Sequence, residues 1–576
     1  MAGFYAARIR RIFPALFVML ALTLPLALWL LSPQALQGHA RVVGATSLFL
    51  SNFELYRTTG YFEGAADLKP LLHTWSLAVE EQYYIVFPLV LAALWRWARR
   101  LIPWALLGIG LLSLAYSQWL VRWDPSLAFY SALSRTFELM VGSWLAWRVS
   151  QEAAGHARVA PLIWRRVLAW VGLAAVLLAI VLFRSDLPFP GALALIPCVG
   201  TALLIYGGSQ GDTDLFRGFS WAPLRWVGAL SFSLYLWHWP ALVFSRHWLL
   251  DYPSALQSAA AVSASVVLAW ASLRWIEAPV RRANSLSNGL LIAAGTLLTV
   301  LMLMAAWVTN RIAIDRTEAL TAESSLYRGA LDVSPARADC HNLSSERRCS
   351  WGGTPNAKEV VVWGDSHAVE LAYALGDSGL SGWKVGQRST TSCPPAAGYA
   401  LPSRSICLTH QPDVLDRLIW DASVTHVVLA MRFETYLSKS QANEFSSALE
   451  STVAALRKAG KQVMLVEPVP TYGYPVPAAL AQRQARGWPL EEQGQLVSDY
   501  ERRQALGLSL ARKLANAKEV VRLPAAEWLC DGDRCKVMDA AGRPLYFDDN
   551  HLSLTGARLL VAPITTWLQA APAQTR

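Results

Sequence analysis

Two short motifs, far apart in the chain, carry the residue types of an acyl-transfer site. An apolar run at 359–363 is followed by Gly-Asp-Ser, which places Ser366 at a predicted strand-to-helix turn. The second motif, at 548–553, reads Asp-Asp-Asn-His-Leu-Ser and supplies Asp548 and His551. A serine nucleophile, a histidine that takes its proton and an aspartate that orients the histidine are the parts of a Ser-His-Asp site. We therefore predict these three side chains as catalytic residues.

An acyl-transfer site also needs donors for the oxyanion that forms during attack. The main-chain N–H of Ser366 is one candidate, and Gly364 and Gly398 are weaker ones. Gly-Asp-Ser alone is common in ordinary turns. Its combination with the apolar strand before it and the Asp-x-x-His motif is what favours catalysis.

The composition indicates that much of the chain lies in a membrane. Of 576 residues, 54% are hydrophobic and only 16% are charged, whereas soluble proteins carry about 25% charged residues. The 26 tryptophans are typical of the two membrane–water interfaces. The net charge of +10 does not indicate nucleic-acid binding, because the arginines stand mostly between apolar segments.

Apolar stretches long enough to span a bilayer predict nine crossings, at 12–32, 76–95, 101–119, 128–147, 167–183, 190–207, 227–246, 255–273 and 288–308. A tenth stretch, 42–56, is shorter and is interrupted by polar residues. Nine crossings place every arginine cluster on the side of the N-terminus, as the positive-inside rule requires, whereas a tenth would reverse the later loops. We therefore expect 42–56 to be re-entrant or interfacial, and the chain after about 310 to lie outside.

The cysteines support that topology. Cys198 stands alone in an apolar stretch, and the other six follow residue 330: Cys340, Cys349, Cys393, Cys407, Cys530 and Cys535. An even set in one region predicts disulfides and an oxidising compartment. Pairing of sequence neighbours is one of about 15 possible connectivities. A metal site is disfavoured, since no Cys-x-x-Cys spacing or accompanying histidine pair is present.

The part of the chain after residue 355 reads as an α/β domain. Short β-rich runs at 359–363, 425–430, 462–466 and 519–523 alternate with helical stretches, which is typical of a parallel sheet. The predicted organisation is a polytopic α-helical membrane domain (1–285), a linking transmembrane helix (286–310), a polar linker (311–354) and this α/β domain (355–570).

Ionisable residues inside membrane spans are costly and mark functional sites by default. Three sets occur, with the alternative that each is a structural pair that holds helices together: His73, Trp75, Ser76, Glu80 and Glu81; Arg135 and Glu138; and His238. On a helix, Glu80 shares one face with His73 and with either Ser76 or Leu77, and Glu81 points elsewhere. Arg8 and Arg11, just before the first span, are either topogenic charges or a clamp for a cytoplasmic phosphate.

Four segments together resemble the membrane acyltransferase-3 family: 4–14, 73–84, 233–240 and 274–279. Residues 4 to about 285 are similar to its membrane module, and 355–570 to the SGNH hydrolase-like, flavodoxin-like domain often fused to it. The family acetylates surface glycans, with cytoplasmic acetyl-CoA as donor and the acceptor outside. The resemblance implies that Arg8 and Arg11, as its Arg-x-x-Arg motif, take part in donor binding. It implies acetyl-CoA as a co-substrate and no bound cofactor.

Two departures from the family pattern accompany this resemblance. Family members begin with two further helices, the first of which carries a catalytic histidine, so we expect this chain to be either truncated at its start or mis-started at Met1. Neither His73 nor His238 matches that histidine. In the outer domain the Gly-x-Asn-Asp block, whose asparagine helps to bind the oxyanion, is absent. The segment at 428–433 stands in its place, and Arg432 is a candidate substitute.

These observations predict an O-acyltransferase of the bacterial inner membrane. It would move acetyl from cytoplasmic acetyl-CoA to hydroxyl groups of an envelope polysaccharide or lipid-linked glycan, such as the lipopolysaccharide O-antigen. Ser366 would be the final nucleophile. Two alternatives stay open: a membrane-tethered glycan acetyl esterase, and a glycan or lipid transporter with an accessory ectodomain.

Overall fold

The computed structural model describes residues 2–58, 66–184, 187–209, 213–283, 287–354, 357–401, 404–437 and 441–570. The chain forms two compact units. The first comprises Met1–Leu249 and Pro253–Arg316, and the second comprises Leu250–Tyr252 and Thr317–Arg576.

The first unit is entirely helical in its described residues. Its helices are α1 (Ala2–Leu30), α2 (Pro33–Ser47), α3 (Ser51–Thr58), α4 (Thr74–Trp97), α5 (Ile102–Trp123), α6 (Pro125–Tyr130), α7 (Ala132–Ala153), α8 (Leu162–Leu182), α9 (Leu195–Gly208), α10 (Asp214–Phe219), α11 (Ala222–Leu249), α12 (Ala255–Ser272), α13 (Ala278–Arg282) and α14 (Asn288–Glu323). A turn of π-helix joins α12 to α13.

Eight helical stretches of the described chain are long and apolar enough to cross a membrane. They correspond to α1, α4, α5, α8, α9, α11, α12 with α13, and α14. Their outward-facing side chains are apolar, with many exposed leucines, valines and tryptophans, as a lipid environment requires. The chain is therefore a multi-pass membrane protein, as its composition predicts.

The ninth predicted crossing, 128–147, does not pass the same test. Helix α7 has 22 residues and is roughly 33 Å long, enough to span a bilayer. It carries four charges, which are paired within the helix: Arg135 with Glu138 at 2.8 Å, and Arg148 with Glu152 at 3.0 Å. Ser113 of α5 also bonds to its first turns. The count of nine apolar spans is thus corrected to eight, with α7 as a further long helix.

The stretch at 42–56 is two helices instead of one, as expected of a segment that does not cross. Helices α2 and α3 are separated by a bend at which Phe49 adopts a left-handed conformation (φ 54°). With 15 and 8 residues, each is too short to span the hydrocarbon core.

The second unit is an α/β domain. Its helices are α15 (Ser325–Arg328), α16 (Arg337–Cys340), α17 (Ala368–Asp377), α18 (Cys407–Trp420), α19 (Phe433–Tyr436), α20 (Ala442–Lys458), α21 (Val476–Ala485), α22 (Val497–Arg503), α23 (Ala505–Asn516), α24 (Ala525–Leu529), α25 (Leu554–Leu559) and α26 (Val561–Gln569). Its strands are β1 (Cys349–Trp351), β2 (Lys358–Gly364), β3 (Trp383–Ser389), β4 (Val424–Ala430), β5 (Gln462–Val466), β6 (Val521–Leu523), β7 (Cys530–Asp531) and β8 (Arg534–Cys535).

Six of these strands form one sheet in the order β1-β3-β2-β4-β5-β6, and β7 and β8 form a separate hairpin. The sheet is parallel except for the edge strand β1. Strand β2 is buried on both faces: Val360 and Val362 join one core cluster, and Val361 and Trp363 join the other. The carboxyl ends of the parallel strands meet at one edge, which is where such sheets hold their sites.

Three details differ from expectation. Strands β1 and β3 were not predicted, because neither contains an apolar run. Strand β3 reads Trp-Lys-Val-Gly-Gln-Arg-Ser. The strand predicted at 519–523 is only Val521–Leu523. The segment 311–354 is not a plain linker, because α14 continues to Glu323 and ordered elements follow it.

The six outer cysteines pair with their sequence neighbours: Cys340 with Cys349, Cys393 with Cys407, and Cys530 with Cys535. Cys198 is free. No group of side chains in the described ranges has the composition of a metal site.

Candidate active site

The turn that carries Ser366 lies between β2 and α17, at the carboxyl edge of the sheet. Gly364, the last residue of β2, faces Ala430 of β4. A Cβ atom on Gly364 would lie 1.7 Å from the Ala430 carbonyl oxygen. A side chain is therefore excluded there, and the close approach of the two strands fixes where the following turn emerges.

The structure brings the three predicted residues together in the order of a triad. His551 Nε2 lies 2.7 Å from Ser366 Oγ, and His551 Nδ1 lies 2.6 Å from Asp548 Oδ2. Asp548 Oδ1 also accepts the main-chain N–H groups of Asn550 at 2.9 Å and His551 at 2.6 Å. Ser366 and His551 are 1% and 6% exposed, so bulk water hardly screens the pair. The arrangement can deprotonate a serine hydroxyl and return the proton to a leaving group.

The charges of the triad support each other. Burial alone would lower the pKa of His551, but the Asp548 carboxylate raises that pKa above the ordinary histidine value. Burial would likewise raise the pKa of Asp548, but the charge and hydrogen bond of His551 hold it below its usual range. Asp548 is therefore an anion throughout the neutral pH range, and it favours the imidazolium that forms during attack.

Asp365 stabilises the turn beneath the nucleophile. Its side chain is 2% exposed and accepts three hydrogen bonds: from His367 N at 2.9 Å, Arg432 N at 2.9 Å and the Tyr436 hydroxyl at 2.7 Å. Burial raises the pKa of this carboxyl despite those donors. Asp365 thus ties the Ser366 turn to the segment that follows β4.

The predicted oxyanion donors lie in different surroundings. The Ser366 N–H, at the turn, meets no acceptor among the described main-chain groups. Gly364 is explained by strand packing, and Gly398 is an exposed residue in a loop with φ 85°. Arg432 is also engaged elsewhere, because its N–H binds Asp365 and its guanidinium pairs with Glu434 at 2.7 Å.

The imidazole of His551 is enclosed by two rings. Phe547 stacks on it with ring centres 5.1 Å apart and an interplanar angle of 11°, and the His367 ring lies 4.5 Å away. His367 Nε2 is 3.1 Å from Asn550 Oδ1, and Asn550 Nδ2 donates to Asp549 Oδ1 at 2.9 Å. A second polar chain therefore runs beside the triad.

In the membrane unit, Arg8 meets Glu81 and not an open phosphate site. Its guanidinium lies 2.5 Å from the Glu81 carboxylate and 3.6 Å from the centre of the Tyr84 ring. Arg11 and Glu80 are exposed at the surface of the membrane unit. Of the two arginines of the Arg-x-x-Arg motif, one is thus neutralised within the fold.

His73 and His238 lie close together in the fold, although they are far apart in the sequence. Their ring centres are 5.6 Å apart, and the Tyr235 ring lies between 5 and 6 Å from both. The Tyr235 hydroxyl bonds to Ser76 Oγ at 2.8 Å and to the His73 carbonyl. These side chains form a partly buried polar group between α11 and the start of α4, with His73 as its buried member.

The third predicted set, Arg135 and Glu138, is an ion pair surrounded by aromatic rings. The Arg135 guanidinium lies about 5 Å from the centres of three rings: Trp75 at 5.1 Å, Phe129 at 4.9 Å and Phe189 at 5.0 Å. Trp75 is thereby placed with Arg135, and not with His73. Cation–π contacts of this kind compensate part of the cost of burying a guanidinium.

Sequence reasoning missed Tyr235, Tyr436 and Asn550. Asn550 stands inside the Asp-Asp-Asn-His motif, so its position beside the triad was available from the sequence. Tyr235 lies within the quoted 233–240 segment, but nothing in the pattern says which residue it contacts. Tyr436 follows β4 after a loop and carries no local signal.

Two family models match the chain. Residues 1–274 match the model of an acyltransferase domain, and residues 337–566 match an SGNH domain described as fused to AT3 domains. The two matches cover the membrane unit and the α/β domain in turn.

Among curated relatives, the peptidoglycan O-acetyltransferase OatA of Listeria monocytogenes is 29% identical over 295 residues, which is 48% of this chain and 46% of OatA. The putative peptidoglycan O-acetyltransferase YrhL of Bacillus subtilis is 29% identical over 293 residues, 48% of this chain and 45% of YrhL. The chain thus spans about half the length of these curated relatives. A solved periplasmic domain of a Salmonella Paratyphi A lipopolysaccharide acetyltransferase aligns with 44% of this chain and 96% of its own, at 17% identity and a TM-score of 0.31.

Proposed function

Since the chain belongs to the acyltransferase-3 proteins that carry a fused SGNH domain, we propose that it is a membrane O-acetyltransferase that modifies hydroxyl groups of a cell-envelope glycan. The observation that carries this proposal is the Ser366–His551–Asp548 triad, with 2.7 Å and 2.6 Å contacts, in a chain with a multi-pass membrane unit. A mere anchor needs one helix, and the described part of this unit has eight apolar helices long enough to cross a membrane.

The triad performs the transfer in two steps. In the first, Ser366 Oγ attacks the acetyl carbonyl while His551 Nε2 takes its proton. The bond from the carbonyl to the donor atom breaks, and the leaving group receives the proton from His551. In the second, a glycan hydroxyl attacks the acetyl-serine ester, gives its proton to His551, and Ser366 recovers that proton as the ester bond breaks.

The donor in this proposal is acetyl-CoA on the cytoplasmic side. Arg11 is exposed next to the Arg8–Glu81 pair, so it is the arginine available to bind a phosphate of the donor. Arg8, which is held in place beside Tyr84, would line the donor site without binding the phosphate through a free charge. The polar group of His73, Ser76, Tyr235 and His238 lies on α11 and at the start of α4. It would meet the acetyl group as that group leaves the cytoplasmic side.

The proposed location is the bacterial inner membrane, with the α/β domain outside the cytoplasm. Three disulfides within that domain are typical of an oxidising compartment. With the N-terminal arginines inside, an outer C-terminal domain requires an odd number of crossings. Eight apolar helices and α7 together provide nine.

The acceptor is an envelope polysaccharide or a lipid-linked glycan. The names of the Listeria and Bacillus relatives point to peptidoglycan as one possibility, and lipopolysaccharide O-antigen is the other that we propose to test. Both acceptors offer sugar hydroxyls, which the second half of the reaction needs.

The test is the O-acetyl content of both purified glycans in the source bacterium. We would compare the wild type, a deletion strain, and deletion strains complemented with the unchanged chain or with Ser366→Ala. We expect acetyl ester to fall on deletion and to return only with the intact serine. Unchanged acetylation of both glycans on deletion would contradict the proposal.

An esterase is the rival that the same triad allows. The two functions predict opposite changes in acetyl content, because loss of an esterase raises the acetyl content of its glycan and loss of a transferase lowers it. If Ser366→Ala raises the ester content above that of the complemented strain, the esterase takes the place of the transferase.

A further inference from the structure

One titratable side chain next to the nucleophile has no part in the triad. His367 follows Ser366 directly, and its ring lies 4.5 Å from that of His551. It is only half-buried, whereas the triad residues Ser366 and His551 are almost wholly buried. Its position is thus at the site and open to a ligand.

The hydrogen bonds of the second polar chain fix which nitrogen of His367 carries the proton. Asn550 Nδ2 donates to Asp549 Oδ1, so the oxygen of the Asn550 amide is the atom that faces His367. An amide oxygen only accepts. His367 Nε2, 3.1 Å from that oxygen, must therefore carry a proton and donate it.

A neutral histidine has one protonated and one bare nitrogen. Burial lowers the pKa of His367 well below the ordinary value, and the nearby charges of His551 and Arg432 lower it further, against a smaller opposing effect of Asp548. The ring is thus neutral at physiological pH, with its lone pair on Nδ1. No hydrogen bond from a described residue reaches that nitrogen.

We propose that Nδ1 of His367 accepts a hydrogen bond from a second hydroxyl of the acceptor, next to the hydroxyl that is acetylated. This inference rests on the proposed function and specifies the acceptor as a vicinal diol. His367 is then a substrate-binding residue of the second half of the reaction.

The two neighbouring imidazoles would contact different hydroxyl groups of such a diol. The attacking hydroxyl forms a bond to the acetyl carbon of the acyl-serine, and its proton passes to His551 Nε2 and then to Ser366 Oγ as the serine ester bond breaks. The adjacent hydroxyl keeps its proton throughout and donates a hydrogen bond to His367. Water can make only the first contact while it attacks, so the second contact favours the glycan over hydrolysis.

Two variants test the roles of the two ring nitrogens of His367 separately. In His367→Gln the side-chain amide reaches the place of Nε2, keeps a donor for Asn550, and leaves nothing at the place of Nδ1. In His367→Asn the shorter amide puts an acceptor near the place of Nδ1 and leaves Asn550 without its donor. If His367 only supported the fold through Asn550, the glutamine variant would be the milder of the two.

The experiment uses the purified full-length protein with p-nitrophenyl acetate as donor. Ethane-1,2-diol and ethanol, at equal concentrations, serve as competing acceptors for the acyl-enzyme, and the two acetate esters and free acetate are quantified. We expect the wild type to favour the diol per hydroxyl group. In His367→Gln that preference should fall about three- to tenfold, the effect of one hydrogen bond, because transfer to the diol falls more than hydrolysis does, and His367→Asn should retain more of it.

A wild type without diol preference would overturn the inference, as would a glutamine variant with the same preference. A parallel loss of hydrolysis and transfer in the glutamine variant would also overturn it, because His367 would then act only by supporting His551. Failure of the proposed function looks different: the wild type itself would show no p-nitrophenol release that depends on Ser366.

Discussion

The main-chain N–H of Arg432 donates to the buried carboxylate of Asp365 at 2.9 Å. The segment after β4 is therefore fastened to the nucleophile turn, and it does not supply the oxyanion donor that its place in the chain suggests. The side chain of Arg432 is paired with Glu434. The Ser366 N–H meets no acceptor among the described main-chain groups, so it stays our predicted oxyanion donor.

Asp365→Asn should destabilise the α/β domain. Its amide places an NH2 group where one carboxylate oxygen accepted a main-chain N–H, from either His367 or Arg432. Each donor left unsatisfied in a buried place costs about 1–3 kcal/mol. The measurement is the thermal unfolding midpoint of the purified full-length protein. Tyr436→Phe removes one donor and leaves the carboxylate intact, so it should cost less; an equal or larger effect would contradict this assignment.

Asp548→Asn should change the pH dependence of ester hydrolysis as well as its rate. His551 must be neutral to take a proton, so kcat/KM falls as the pH drops through its pKa, which Asp548 raises above the ordinary value. Without that anion the midpoint of the acidic limb should move to lower pH. The rate itself should fall by roughly 10²- to 10⁴-fold, because the orienting carboxylate is lost.

The matched control for that prediction is Asp377→Asn. Asp377 is a half-exposed carboxylate paired with Arg558 at the protein surface, where such pairs contribute little. Both the rate and the midpoint should stay as in the wild type. A midpoint that does not move in Asp548→Asn would show that this carboxylate does not set the pKa of His551.

Glu81→Gln should impair glycan acetylation and spare hydrolysis of a soluble ester. The change leaves Arg8 without its carboxylate partner, and loss of one member of a buried pair costs about 3–5 kcal/mol. Ser366 and its partners belong to the other structural unit. The two readouts are the acetyl content of the glycan and p-nitrophenol release by the purified protein. Glu80→Gln, at the exposed neighbour, should have the smaller effect on acetylation.

Removal of the Cys393–Cys407 disulfide should lower the stability of the α/β domain. The two residues are 14 apart in sequence and fully buried, and a loop of this length contributes about 3 kcal/mol. A double serine variant should therefore unfold at a lower temperature. The same substitutions at Cys530 and Cys535, 5 residues apart, should lower it less. Equal midpoints for wild type and variant would contradict the loop argument.

The triad could be predicted because each half lies in a local motif with a specific signature. An apolar strand followed by Gly-Asp-Ser fixes the turn, and the Asp-x-x-His spacing lets one side chain orient the other. The sheet was only partly predictable. Strand β3 is an inner strand in the sheet order, but its polar residues hide the apolar pattern that reveals β2, β4 and β5.

The membrane contacts show where sequence reasoning ends. Arg8 and Glu81 were both singled out, but their pairing across 73 positions depends on the packing of α1 against α4. Helical periodicity predicted that Glu81 points away from His73, but it could not say which residue Glu81 contacts. In the same way, Trp75 was grouped with its sequence neighbours, whereas the fold places it on Arg135.

Helix α7 has a consequence for how the membrane unit is made. Charged residues make membrane insertion of a helix costly, and α7 carries four of them, so α7 is a poor substrate for insertion as a single segment. Ser113 of α5 bonds to the main chain of α7, and the Tyr83 hydroxyl of α4 lies 2.6 Å from Ser143 of α7. We therefore expect α7 to enter the lipid more readily beside α4 and α5 than alone.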